Sequence, residues 1–278
     1  MRRARDGGVS GNLVPARPSG RFRRFFAGYA ARMVRRRFHS SMVLVGDGDH
    51  FARLDSVEAP VIILMTHASW WDPLAGLVLW RRFIPSREML VPMDASELER
   101  FGFFRRLGMF GIDPDDPKSL EAMKAYVLER FEASGDRETL GLTPQGRFTD
   151  PREPIRLRPG AAAIAAASPV RPEVIALAVE YPFWQDKQPE MLVSISPVIP
   201  PMGEEPTTGD WQRGMTAAMV DASTRLSAAS MSRDPKAFED LDPDHESRSR
   251  INPIMDGWLR LRGRSGAIQA RDKGEATS

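Results

Sequence analysis

The sequence contains no cysteine. That absence excludes disulfides, thiolate nucleophiles and cysteine-ligated metals, so any nucleophile is oxygen or nitrogen, and it favours a reducing compartment. Long apolar runs are missing too: none approaches the roughly 18 residues needed to span a bilayer, so no transmembrane helix is expected. The first twenty residues lack the apolar centre of a secretory signal and are rich in Arg, Gly and Pro instead, which reads as a disordered basic leader over residues 1–20. There is no internal repeat. Acidic residues are scarce only at the start: residues 1–40 hold eleven Arg against the single Asp6, a net +10 that leaves −8 for residues 41–278. Basicity confined to one end argues against a nucleic-acid-binding face and for an N-terminal segment that meets something anionic.

What is present suits one large α/β domain. The 278 residues, 42% hydrophobic and 27% charged, can bury a sizeable core. Over residues 21–40, Phe22, Phe25, Phe26, Tyr29 and Met33 fall at helical spacing, with Arg21, Arg24, Arg32, Arg35 and Arg36 toward the other side. Such a basic amphipathic helix can lie in a bilayer interface, rings in the acyl boundary and guanidinium groups on anionic headgroups, or pack its rings on the domain's own core.

Beyond it, strands and helices alternate. Residues 41–45 read as a short strand and 46–49 as a turn. Val61 to Met65 is a run without polar alternation, the pattern of a strand buried on both faces. Asp72-Pro73 carries a helix-start signature, and that helix runs to about Phe83. Residues 87–93 suit a strand, 97–107 a helix, and Asp116-Pro117 opens another helix whose buried stripe is Leu120, Met123, Val127 and Phe131. Residues 138–143 suit a strand that ends in a turn at Pro144, Gln145 and Gly146; an Ala-rich helix follows Pro159-Gly160. Residues 174–179 and 191–195 return as strands, and Trp211, Met215, Met219, Ala222, Leu226 and Ala229 mark a long core-facing helix. Residues 236–249 read as a charged loop, 254–262 as a short helix, and 263–278 as a flexible tail. The order implies a mixed, mostly parallel sheet flanked by helices over residues 41–262, with reactive loops beyond the carboxyl ends of its strands.

Two His-Asp pairs share a spacing of five, His50 with Asp55 and His67 with Asp72. Spacing cannot choose between them; context favours the second, because His67 leaves a buried strand and Asp72 caps a helix. Five residues along a helix would separate the two side chains, so they meet only across a turn. Asp72 would then hold the imidazole tautomer while the other ring nitrogen takes a proton from a bound hydroxyl. Ser69 invites a Ser-His-Asp hydrolase reading, but no Gly-x-Ser-x-Gly elbow accompanies it.

The stretch from Thr66 to Asp72 resembles the His-x-x-x-x-Asp motif of the glycerolipid (lysophospholipid) acyltransferase superfamily, and three more blocks follow in that family's order. Residues 108–113 are similar to its second block, Pro144-Gln145-Gly146 to its Pro-Glu-Gly block, and residues 174–180 to its fourth; Arg158-Pro159-Gly160 resembles the approach to the next helix. The resemblance implies a membrane-associated O-acyltransferase, peripheral on the cytoplasmic face of a membrane. It would move a fatty acyl group from acyl-CoA or an acyl carrier protein to a hydroxyl of an amphiphilic, lysophospholipid- or glycolipid-like acceptor, with no metal and no cofactor beyond the acyl thioester co-substrate. His67 would be the base and Asp72 its partner, while Ser69, Gly111, Asp113, Pro144, Gln145, Gly146, Arg147 and Arg158 would line the substrate site. Three departures stand out: Pro114 where the second block carries an Arg, Gln145 where the third carries a Glu, and Ala176 where the fourth commonly carries a Pro. A lost cation weakens the expectation of a phosphorylated acceptor. An esterase or thioesterase passing the acyl group to water, and a catalytically silent membrane-binding relative, are the alternatives.

Overall fold

A computed structural model describes residues 13–134, 137–200 and 203–242; the helix expected over 254–262 and the tail lie outside them. Eight strands form one sheet: β1 (Ser41–Leu44), β2 (Val61–Met65), β3 (Glu88–Asp94), β4 (Met109–Ile112), β5 (Glu138–Leu142), β6 (Glu173–Glu180), β7 (Met191–Ile195) and β8 (Phe238–Asp240). Their spatial order is β4-β3-β5-β2-β6-β7-β1-β8. The first five of that order run parallel; β7 is antiparallel to β6 and parallel to β1, and β8 closes the edge antiparallel to β1. Because β2, β5 and β6 are adjacent and parallel, the loops that follow them emerge on the same side.

Helices cover both faces. On one side lie α1 (Gly20–Arg37), α2 (Asp47–Ala52) and α3 (Asp72–Phe83); on the other lie α5 (Pro117–Ser134), α6 (Gly160–Ala167) and α7 (Thr208–Ser232), while α4 (Ala95–Arg100) follows β3. The alternation along β2 explains why it carries no polar residue: Val61 and Ile63 enter the core under α1 and α3, and Ile62 and Leu64 enter the core under α5 to α7. α7 starts on a capping box, the Thr207 and Asp210 side chains each accepting the other's backbone N–H. Gly108 turns into β4 at φ 108°, where a Cβ would stand 1.9 Å from the Met89 carbonyl oxygen, so only glycine fits.

Several local expectations change. The aromatic face of α1 is not its buried one: Arg23, Ala27, Ala30, Ala31 and Val34 are buried, whereas Phe25 and Tyr29 are 72% and 46% exposed. The buried set follows the same helical period one step around the axis, and small residues let α1 approach α3 closely. Arg23 is tolerated there because it pairs with Glu88 at 2.7 Å and lies over the Trp80 ring. Residues 46–49 continue from an αL glycine into α2, held by the buried Asp47 carboxylate, which accepts from the Ile195 N–H at 2.6 Å and from Arg225 at 2.9 Å. The stretch 97–107 divides into α4, capped by Asp94, and a 3-10 helix over Gly102–Leu107. Leu120 faces outward on α5, and part of the expected loop after Lys236 is β8. Residues 13–19, placed in the leader by composition, run beside β4 and the 3-10 helix, with Val14 exchanging backbone bonds with Gly111 and the Arg17 N–H donating to the Arg105 carbonyl.

Candidate active site

β2 ends at Met65, and the chain leaves the sheet through a tight loop before α3. The start of that loop is tied to β6: Thr66 N–H donates to the Leu177 carbonyl, and the Val179 N–H donates to Thr66 Oγ1. His67 and Asp72 then face one another across the turn, with His67 Nδ1 2.8 Å from Asp72 Oδ2. The same Asp72 oxygen accepts the Ser69 N–H at 2.9 Å, and Asp72 Oδ1 accepts the Tyr181 hydroxyl at 2.7 Å. Asp72 is fully buried, whereas 22% of the His67 side chain is exposed. A buried carboxylate that accepts three hydrogen bonds can remain charged. It orients the ring so that Nδ1 carries the proton and Nε2 is left to accept one. By contrast, Asp55 lies in a 3-10 helix over Arg53–Ser56, and its carboxylate accepts from the Ser86 N–H and hydroxyl at 3.1 and 2.8 Å.

The turn after β5 covers the histidine. Phe148 stacks on the imidazole with 4.0 Å between ring centroids, Trp70 leans over Phe148, and the Thr149 N–H donates to the His67 carbonyl at 2.8 Å. Gly146 adopts φ 70°, and its N–H closes the turn on the Thr143 carbonyl at 2.9 Å. Its missing Cβ makes room for Arg158, whose Nε would sit only 2.6 Å from a Cβ there. The Arg158 guanidinium reaches the Pro114 carbonyl oxygen at 3.0 Å, so it stands between the second and third blocks.

The remaining candidate residues are distributed unevenly. Pro144, Gln145 and Gly146 follow β5, the immediate neighbour of β2. Ser69 contributes its N–H to Asp72, while its Oγ accepts the Trp71 N–H at 3.3 Å. Gly111 lies in β4, separated from β2 by β3 and β5, packed against Val14 and Ala95. Asp113 begins the approach to α5, its N–H donating to Ser119 Oγ and its carboxylate accepting the Asp115 N–H. Arg147 points into solvent and pairs with Glu153 at 2.6 Å. Gln145 is buried, and its Oε1 finds no partner within the described residues. It borders a shallow recess beside the His67 loop, lined also by Thr66, Thr149, Glu180 and Ser223. Burial pushes the Glu180 carboxyl above the ordinary glutamate value, against the lowering effect of a bond from Ser230. Among the described residues no group of three or more His, Asp or Glu stands together to hold a metal ion.

Sequence reasoning missed Tyr181, Phe148 and Trp71. Tyr181 had one available signal: it is among only three tyrosines in the chain and directly follows the last strand of the block series.

Comparison with known families now decides the class. Residues 44–180 match the Acyltransferase family model, a span that contains both His67 and Tyr181's neighbour Glu180. Residues 44–180 form an acyltransferase domain, and the protein is an acyltransferase. The fold of this acyltransferase is similar to that of the 1-acyl-sn-glycerophosphate (LPA) acyltransferase PlsC from Thermotoga maritima, with a TM-score of 0.51 at 13% identity, covering 74% of this chain and 80% of that one. A comparison with curated protein sequences finds no match. As an acyltransferase the protein uses an acyl donor and an acyl acceptor. Among the described residues no helix is long and apolar enough to cross a membrane.

Proposed function

We propose that this acyltransferase works at a membrane surface, moving a fatty acyl group from a thioester of CoA or acyl carrier protein to a hydroxyl of an amphiphilic acceptor. The observation that carries the chemistry is the 2.8 Å contact between His67 and the fully buried Asp72 at the carboxyl end of a central parallel strand. His67 Nε2 removes the acceptor's hydroxyl proton as its oxygen adds to the thioester carbonyl. The tetrahedral intermediate collapses with loss of the thiolate, which takes the proton back from the imidazolium. Asp72 stabilises that imidazolium, and Phe148 shields one face of the ring from water. Ser69 is assigned a backbone part in this arrangement, through its N–H to Asp72.

The acceptor's polar head is assigned to the turn after β5. Arg158 supplies the cation that Pro114 does not, since half of its side chain (51%) stays open to a ligand while it leans on Gly146. That favours a lysophospholipid over an uncharged glycolipid. Gly111 and Asp113 serve in this reading by shaping the second block rather than by touching the acceptor. Membrane attachment is assigned to α1 and the 3-10 helix beside it: Phe22, Phe26 and Phe103 form one ring cluster, next to the exposed Phe25 and Tyr29, with Arg21, Arg24 and Arg32 exposed around it.

The test compares two histidines. His67→Ala is expected to lower acyl transfer by about a thousandfold, in the usual range for loss of a positioned base, while the protein stays folded, and His50→Ala keeps full activity. Labelled acyl-CoA is supplied with water alone, with a lysophospholipid and with a glycolipid, so that release of free fatty acid separates hydrolysis from transfer. Equal loss in both variants would reject the assignment.

A further inference from the structure

The dyad has a third member that the block series does not include. Asp72 presents two oxygens: Oδ2 is shared by His67 Nδ1 and the Ser69 N–H, and Oδ1 is taken by the Tyr181 hydroxyl alone at 2.7 Å. Tyr181 sits immediately after β6, and its ring is fixed from the other side. Phe38, the residue that ends α1, lies 5.6 Å from the Tyr181 ring and 4.9 Å, edge-on, from Trp71 in the His67 loop. A phenol in that position can only donate to Asp72, because a buried carboxylate has no proton to offer while it holds the imidazole.

We propose that Tyr181 is a positioning residue for acyl transfer, acting through Asp72 to lock the carboxylate's rotation and to share its charge. The inference rests on the reading of His67 as base. Two consequences follow from the geometry. With Oδ1 anchored, the carboxylate plane cannot swing away, so Oδ2 stays in line with Nδ1–H. With Oδ1 already engaged by the phenol, less of the carboxylate's charge is directed at the imidazole ring. Burial and the adjacent Asp72 charge both push the Tyr181 phenol up, so it remains a donor throughout the working pH range.

Tyr181→Phe removes only the hydroxyl and keeps the ring against Phe38. In the full chain, kcat is expected to fall about ten- to a hundredfold, matching loss of one hydrogen bond to a charged group, with KM nearly unchanged. The acid limb of the kcat profile should move up by about half a pH unit or more. The same upward shift should be seen for His67 by imidazole NMR titration, which needs no turnover. In an Asp72→Asn background the substitution should change kcat by less than about twofold, since the partner it acts through is gone. An unshifted His67 titration, or an equal fractional loss of kcat in both backgrounds, would overturn the proposal. Failure of the base reading is seen separately, as full turnover in His67→Ala.

Discussion

Asp72 shows how one buried group can organise a loop. It starts α3, accepts the N–H of Ser69 within its own turn, and holds both an imidazole five residues back and a phenol just beyond β6. Donors on both of its oxygens offset the cost of burying its charge. Glu180, one residue before Tyr181, is the opposite case: it is half-buried and lacks a cation, and its raised value means that ionising it costs stability. The sign follows from linkage. The unfolded chain releases this proton near the ordinary glutamate value of 4.5 and the folded chain later, so folding is disfavoured as pH rises through that window and unaffected below it. Glu180→Gln is therefore expected to raise Tm at pH 7 and to leave it unchanged at pH 4, read by calorimetry at the two pH values.

At the scale of elements, α1 carries two functions on two stripes. Ala27, Ala30, Ala31 and Val34 hold it to the domain, leaving Phe25 and Tyr29 exposed, with Tyr29 resting against the Phe26 ring. The substitution pair Phe25→Ser and Tyr29→Ser should then leave fold and soluble-substrate turnover intact while weakening partition onto anionic vesicles by about tenfold or more, given ~1.5–3 kcal/mol for burying one large apolar side chain. Vesicle sedimentation at low and high salt measures it; undiminished binding would move the membrane contact elsewhere. The turn after β5 is the second element with a divided role, since its Thr149 N–H fixes the His67 loop and its Gly146 admits Arg158.

For the whole molecule, the position of the site depends on how β2 is fixed between β5 and β6. Arg87 supports that placement from outside the strands. It is fully buried and donates to the Leu54, Val57, Ala59 and Glu138 carbonyls and to Thr139 Oγ1, tying the entry of β2 to β3 and β5. Arg87→Met would leave those acceptors without their donor, and about 3 kcal/mol or more of stability should be lost, seen as a lower urea midpoint with an unchanged slope. A second tie joins α7 to the far half of the sheet, where Arg225 meets Asp47 and the Ile195 carbonyl.

Local chemistry made much of this legible in advance. The apolar run of β2, the proline in the first turn of α3 and the ordered blocks that follow are properties of neighbouring residues and formed as expected, but Asp72 does not cap the helix: Trp71 precedes it without a side-chain cap, and the Asp72 carboxylate turns back to His67, Ser69 and Tyr181. The acyltransferase class was readable for the same reason. What neighbours could not specify were choices between equivalent local options. His50-Asp55 and His67-Asp72 have one spacing, but only the second spans a turn fixed by β6, while Asp55 turns to Ser86. α1 has two adjacent stripes of suitable period, and close approach to α3 selected the smaller residues. Tyr181 lies 109 residues from Asp72, and the parallel pairing of β2 with β6, Met65 opposite Leu177, is what brings the two together. Segments distant in the chain meet only where strand register and packing leave one arrangement that buries the core and satisfies its polar groups, so that part of the site belongs to the tertiary structure.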